Sequence, residues 1–268
     1  MHPPPAATPS LFDGQARAYE RRAALPPGVG AEIARAVTEV TALGRDDLLV
    51  EIGAGTGLVG RFFATGGPRY LGLDLSLDML ALFRAKRGAA GHPLAQADGN
   101  RTWPVAGGVA AAIFSSRALH LLSTPHVATQ ARRIARAGGA ALVTGRLRYE
   151  RGGIRDRIAV RMRSLLREEG YRPRGGERMQ RRLVAVLGRE DREPIPRRRV
   201  ACWSATATPR QAISEWRRKP GLGGLDPDAG AKRRVLDRLE EWARAETGDL
   251  DRVFETGVAY DIEGVWIR

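Results

Sequence analysis

The chain has 268 residues, of which 43% are hydrophobic, so it can bury the core of a large domain and wholesale disorder is excluded. Its 44 basic residues outnumber the 30 acidic ones, the net charge is +14, and only three of the basic residues are lysines. Such a charge has two interpretations: a surface that binds nucleic acid, or the Arg-rich composition that a GC-rich genome produces.

Other features of the composition narrow the class of protein. The single cysteine, Cys202, cannot form an internal disulfide, and the four histidines match no zinc-ligand spacing, so we expect no metal site. No apolar run approaches the length of a membrane span, and the Pro-rich start resembles no signal peptide. We therefore expect a cytoplasmic protein without a membrane anchor.

The first elements in chain order are helical. Residues 11–24 predict a short helix that carries Phe12 and Tyr19, and Pro26-Pro27-Gly28 ends it. A second helix is predicted over 31–43 from apolar residues spaced along one face. We expect residues 1–30 to form a helical segment or lid.

Strands and helices then alternate up to residue 147. Short apolar runs predict strands at Leu48–Ile52, Tyr70–Leu73, Leu94–Ala97, Val109–Phe114 and Ala140–Thr144. Helices are predicted between them, from Leu58 to Ala64, from Leu77 to Arg87 and from His126 to Arg136. Unbroken apolar strands alternating with helices are typical of a parallel sheet that is covered on both faces. Residues 31–147 therefore predict a doubly wound, Rossmann-like α/β core.

Residues 148–268 have a different pattern. Positions 151–199 contain sixteen arginines and seven acidic residues, so most of the net charge lies there. Apolar spacing nevertheless predicts helices through Ile154–Leu165 and Met179–Leu187, each with a core-facing side. A strand over Val200–Thr208, a helix opening at Pro209, a helix over 231–245 and a strand from Val253 to Ile267 follow. We expect this part to complete the sheet and to contribute Arg-rich helices and a substrate lid.

The chemistry-bearing stretch is Val50-Glu51-Ile52-Gly53-Ala54-Gly55-Thr56-Gly57, a buried strand that runs into glycines. Glycines there permit a tight turn and a close approach of backbone to ligand. The segment from Gly55 to Gly60 also matches the GxGxxG pattern, and Asp74 lies 19 residues beyond Gly55. Taken alone, that match is compatible with a nicotinamide-dependent dehydrogenase.

Five motifs in order favour another family. Five segments resemble, in order, the successive motifs of the class I S-adenosylmethionine-dependent methyltransferases. They are the glycine stretch, Gly72-Leu73-Asp74 with Ser76 and Met79, Ala97-Asp98-Gly99, the segment 112–122, and Ala137-Gly138-Gly139. The resemblance covers residues 10–147 and is strongest to the small-molecule (type 11) branch. It implies a mostly parallel seven-stranded sheet with an antiparallel last strand.

The resemblance also implies a cofactor site for S-adenosylmethionine, whose product is S-adenosylhomocysteine. Asp74 would bind both ribose hydroxyls, as a carboxylate suits, and Asp98 the adenine amine. The remaining cofactor-binding candidates are Glu51, Gly53, Ala54, Gly55, Gly57, Leu75, Met79, Gly99 and Ser115. Each assignment has a structural alternative. The glycines could form a tight turn and Asp74 could cap a helix, Asp98 could belong to an Asp-Gly turn, and Met79 could pack in the core.

The methyl acceptor is expected to be a small metabolite. His120, after the fourth strand, is a candidate general base, and Phe12 and Tyr19 are candidate substrate-binding residues; packing is the alternative role of all three. Arg117 and Arg146 follow strands four and five, where they would either grip an anionic substrate group or lie solvated at the surface. An RNA- or protein-directed methyltransferase that uses residues 151–199 is the alternative function, and a cofactor-binding module without catalysis is a third.

Overall fold

A computed structural model of the chain describes residues 13–63, 67–86, 91–172, 183, 185–187, 194–218, 221–223 and 225–267. The chain divides into two compact units. The first comprises Met1–Arg146, Arg182–Ala201 and Asp261–Arg268, and the second Leu147–Arg181 and Cys202–Tyr260. None of the helices in the described ranges is long and apolar enough to cross a membrane.

One seven-stranded sheet has the order β3-β2-β1-β4-β5-β7-β6 and is mostly parallel, with β7 antiparallel. The strands are β1 (Leu48–Ile52), β2 (Arg69–Asp74), β3 (Leu94–Gln96), β4 (Ala110–Ser116), β5 (Ala140–Tyr149), β6 (Ile195–Ala207) and β7 (Phe254–Ile267). The helices are α1 (Ala16–Ala23), α2 (Val29–Thr41), α3 (Leu77–Arg84), α4 (Thr124–Ile134), α5 (Ile154–Glu168), α6 (Pro209–Arg217) and α7 (Ala229–Thr247). This confirms the predicted α/β class.

The parallel pairing places the carboxyl ends of β1 to β4 at one edge of the sheet. Ile52 pairs with Leu73, so the glycine stretch after β1 lies beside Asp74 at the end of β2. Asp74 pairs in turn with Gln96 of β3, and Ser116 at the end of β4 pairs with Gly145 of β5. The central strands are buried apolar runs, which is the pattern of a sheet covered on both faces.

The predicted helix after the glycine stretch is wrong in type. A short 3-10 helix, Gly60–Phe62, lies there instead of an α-helix, and residues 64–66 are outside the described ranges. The reason is close packing: a Cβ on Gly60 would lie 2.5 Å from a carboxylate oxygen of Glu51. Glycines at 57, 60, 66 and 67 also shorten any helix before Pro68.

The second unit has its own apolar core. Helices α5, α6 and α7 pack around a cluster that includes Ile158, Leu165 and Leu239, all fully buried. This confirms the core-facing side predicted for the helix through Ile154–Leu165. The next predicted helix runs into the first unit, where Leu183 and Leu187 are buried but Val186 is exposed, and Met179 lies outside the described residues.

Candidate functional site

The glycine stretch after β1 forms a tight loop against the end of β2. The backbone N–H groups of Gly53 and Ala54 both donate to the carbonyl of Leu73, at 2.8 and 2.9 Å. Gly53 and Gly57 have φ angles of +72° and +69°, and a Cβ at either would lie 2.3 Å from a neighbouring side-chain atom. Only glycine fits both positions, because the backbone is left-handed and closely packed there.

Asp74 ties this loop to the start of helix α3. One carboxylate oxygen accepts the N–H of Gly55 at 2.7 Å, and the other accepts the N–H of Ser76 at 2.9 Å. Burial raises the pKa of Asp74, and those backbone hydrogen bonds oppose the rise. A carboxylate offers about four acceptor positions, so Asp74 retains the capacity to accept a hydroxyl donor beside its backbone hydrogen bonds.

Glu51 lies buried in β1 beneath the loop. The hydroxyl of Tyr70 donates to one of its carboxylate oxygens at 2.6 Å, inside an aromatic group that includes Phe63 and Phe83. Burial raises the pKa of Glu51 to about 8, an effect that the Tyr70 hydrogen bond opposes and the charge of Asp74 increases. Tyr70 was not identified from the sequence as the partner of Glu51, although Tyr70 lies in β2, the strand that neighbours β1.

Helix α3 begins beside Asp74. Ser76 caps it by accepting the N–H of Met79 at 3.3 Å, and also donates to Asp13 at 2.6 Å. Met79 is only 3% exposed and belongs to the core with Phe83. Leu75 is half-buried at the end of β2.

Asp98 and Gly99 follow β3 at the same edge of the sheet. One oxygen of Asp98 accepts the N–H of Asn100 at 2.8 Å, which makes a local turn. The carbonyl of Gly99 accepts the indole N–H of Trp103 at 3.1 Å. Asp98 is half-buried, so its carboxylate has further acceptor positions toward solvent.

The end of β4 faces the glycine loop. The Ser115 hydroxyl is buried and donates to the carbonyl of Ile52 at 2.8 Å, which links β4 to the strand before the loop. The next residues, Ser116 and Arg117, are half-buried. His120 lies on a short 3-10 helix, Leu119–Leu121, and is exposed.

An open cavity lies between the glycine loop, helix α1 and the end of β4. Its empty volume is ≈270 Å³, including the solvent at its mouth. The residues lining it are Tyr19, Glu51, Gly53, Ala54, Gly55, Thr56, Leu58, Val59, Ser116 and Arg117.

The cavity brings together only part of the predicted site. Tyr19, Glu51, Gly53, Ala54 and Gly55 line it, whereas His120, Ser115 and Met79 do not. Phe12 lies outside the described residues. Thr56 and Ser116 were not among the predicted site residues, although they adjoin the glycine motif and the end of strand four. Arg117, for which the sequence left a substrate-binding role and a surface role open, also lines the cavity.

A glycine loop after the first strand, with carboxylates after the next two, defines an α/β protein that binds a nucleoside-containing cofactor at the carboxyl ends of its strands. Residues 49–139 match the family description "Methyltransferase domain". The sheet order and this match together indicate that residues 49–139 form the domain of an S-adenosylmethionine-dependent methyltransferase of the class I type, whose cofactor is S-adenosylmethionine.

Solved structures share the fold at low sequence identity. A candidate methyltransferase from Bacillus halodurans C-125 is 16% identical, with 86% of this chain and 96% of that chain covered at a TM-score of 0.54. The YcgJ protein from Bacillus subtilis is 12% identical, with 87% and 97% covered at a TM-score of 0.52. The [4+2]-cyclase SpnF is 16% identical, with 89% and 81% covered at a TM-score of 0.50. Among curated proteins, none matches this chain in sequence.

Proposed function

We propose that this methyltransferase transfers its methyl group to an oxygen, nitrogen or carbon nucleophile of a small-molecule metabolite. The observation that carries the proposal is the cavity beside the glycine loop, because it is lined by Glu51 and Tyr19 and placed at the carboxyl ends of the strands.

The residues present suit the cofactor. In this proposal Asp74 accepts the ribose hydroxyls at its free acceptor positions, and the Asp98 carboxylate and the Gly99 backbone contact the adenine. Gly53, Gly55 and Gly57 let the backbone approach the amino-acid end, and Glu51 supplies the acidic group nearest to that end. Ala54, Leu75, Met79 and Ser115 support these contacts through packing and through the loop.

When bound, S-adenosylmethionine supplies a methyl group on a sulfonium, which an acceptor nucleophile takes by in-line displacement while the C–S bonding electrons return to sulfur. The protein's part is therefore mainly alignment and exclusion of water. Helix α1 supports exclusion of water: the Glu20 carboxylate pairs with Lys86 at 2.5 Å, and the Lys86 ammonium donates to Thr56 of the loop at 3.3 Å. His120 remains the candidate base for an acceptor that must lose a proton, and Phe12 and Tyr19 the candidate acceptor contacts.

The alternative function, methylation of RNA or protein through residues 151–199, has less support. Several described arginines of that segment pair with carboxylates of the chain itself. Arg155 binds Glu215 at 3.1 Å through two hydrogen bonds, and Arg161 binds Glu168 at 3.3 Å.

Labelled methyl transfer tests the proposal. The protein is incubated with S-adenosylmethionine carrying a labelled methyl group and with pools of metabolites, total RNA or a protein extract. We expect label in one small-molecule pool, with a product heavier by one CH₂ unit. Label confined to RNA or protein would contradict the small-molecule proposal.

A further inference from the structure

Arg117 occupies an unusual backbone position at the mouth of the cavity. It follows β4 directly, its φ is +59°, and its N–H donates to the carbonyl of Gly145 in β5 at 2.9 Å. A left-handed conformation is costly for a residue with a Cβ, and such strain is concentrated at functional sites. Here the hydrogen bond to β5 holds a long cationic side chain at the cavity wall.

The guanidinium of Arg117 has no carboxylate partner among the described residues. Its Nη1 donates to the carbonyl of Ala23 at 3.3 Å, and its Cζ lies 5.9 Å from the centre of the Tyr19 ring. Its Nε is buried without a hydrogen-bond partner in the described part of the chain. Half-buried arginines normally pair with an anion, so this cation is incompletely satisfied by the protein.

Arg146, in the neighbouring strand β5, shows the contrast. It lies within β5 and pairs with Glu263 at 2.7 Å. Both arginines are half-buried near the carboxyl ends of adjacent strands. Of the two, only Arg117 lines the cavity.

The strand order gives Arg117 its place relative to the cofactor residues. Asp98, Asp74 and the glycine loop follow β3, β2 and β1, which are consecutive in the sheet, and Arg117 follows β4, the next strand. In the proposed function the row of cofactor contacts ends at the glycine loop. Arg117 therefore lies next to the amino-acid end, in the same cavity as Glu51 and Gly53, on the side that the row of cofactor contacts leaves open.

We propose that Arg117, with Tyr19 behind its guanidinium, binds a carboxylate or phosphate group of the methyl acceptor, so that the substrate is an anionic small molecule. This inference rests on the proposed function. An anionic acceptor also complements the positive charges that Arg117 and a sulfonium place at the same cavity.

Anion binding to the enzyme tests the proposal, with benzoate and inorganic phosphate as probes and benzamide as the neutral counterpart of benzoate. Thermal unfolding of wild type, Arg117→Gln and the matched control Arg146→Gln is followed against probe concentration, with and without S-adenosylhomocysteine. We expect benzoate or phosphate, but not benzamide, to stabilise wild type and Arg146→Gln. In Arg117→Gln the apparent affinity for the anion should fall about tenfold or more, since a hydrogen bond to a charged group is lost.

Equal anion stabilisation of all three proteins, or none of wild type, would overturn the proposal. Calorimetry with S-adenosylhomocysteine separates the two sources of a carboxylate. If Arg117→Gln loses affinity for S-adenosylhomocysteine but is still stabilised by the anions, Arg117 binds the carboxylate of the cofactor. The proposal that it binds the methyl acceptor is then wrong. If the wild type binds no S-adenosylhomocysteine, the proposed function is contradicted instead. The unfolding measurements made without S-adenosylhomocysteine would still test anion binding by Arg117.

Discussion

At the scale of single residues, Glu51 is the most perturbed acid near the cavity. Its carboxyl group is buried under the glycine loop, accepts the Tyr70 hydroxyl, and has its pKa raised to about 8. In an unfolded chain the same group has its ordinary pKa of 4.5. The folded protein therefore keeps a proton on Glu51 over a pH range in which the unfolded chain has lost it.

This difference predicts a pH-dependent stability that belongs to Glu51. Below about pH 4.5 both states are protonated, and its contribution is fully present. Between about pH 4.5 and about pH 8 the wild type should lose stability relative to Glu51→Gln, since ionisation favours the unfolded chain, and above about pH 8 the difference should level off. Urea unfolding of both proteins without ligand, across this range, measures it. A difference that stays constant with pH would contradict the buried, protonated state.

Sequence spacing predicted part of this residue-level arrangement. Asp74 lies beside the glycine loop, as the distance from Gly55 suggested, because parallel pairing of β1 and β2 brings their ends together. Spacing did not reveal that Asp98 accepts the N–H of Asn100, or that Ser115 donates to Ile52. Those bonds depend on side-chain rotamers and turn geometry, which a motif does not encode.

At the scale of elements, residues with a specific role at a helix end predicted where a helix begins. Pro209 was predicted at the first turn of a helix, and α6 begins there with a capping box. Thr208 accepts the N–H of Gln211 at 3.1 Å, and the Gln211 side chain accepts the N–H of Thr208 at 3.2 Å. The helix expected after Gly57 is a single 3-10 turn, Gly60–Phe62, in which Gly60 packs closely against Glu51.

The capping box gives a prediction for the second unit. Thr208→Ala should destabilise α6 and its packing by about 1 kcal/mol, since the N–H of Gln211 loses its acceptor. Thr208→Ser retains the hydroxyl and should remain close to wild type. The midpoint of urea unfolding, followed by circular dichroism, checks this. If Thr208→Ser is destabilised as much as Thr208→Ala, methyl packing and not the cap is responsible.

At the scale of the whole molecule, part of the large arginine content is engaged in ion pairs within the chain, which leave the net charge of +14 unchanged. In the second unit Arg157 pairs with Glu246, Arg234 with Glu169 at 2.8 Å, and Arg238 with Glu168 at 2.5 Å. Arginines that α5 and α7 use for such pairs are less available to phosphates. Composition alone could not show this, because the partners are separated by about 65 to 89 positions.

The pairing predicts weak binding to RNA. A fluorescent single-stranded RNA should show no saturable anisotropy change at about 150 mM salt. At this salt concentration screening removes weak nonspecific contacts, whereas a protein with an unpaired basic patch still binds nucleic acid. Titration at several salt concentrations provides the control. Tight binding that weakens steeply with salt would contradict the internal role of these arginines and favour the RNA-directed alternative.

The central claim is that the cofactor lies along the ends of β3, β2 and β1, with Asp74 as its main polar anchor. Calorimetric titration of S-adenosylhomocysteine into wild type, Asp74→Ala and the control Asp78→Asn tests it most directly. Asp78, which accepts the N–H of Gly14 at 2.7 Å, lies in the first turn of α3 and outside the proposed contacts. We predict measurable binding to wild type and to Asp78→Asn, and binding at least about tenfold weaker to Asp74→Ala, because charge-assisted hydrogen bonds to the ribose are lost. Unchanged affinity of a folded Asp74→Ala protein would contradict the claim.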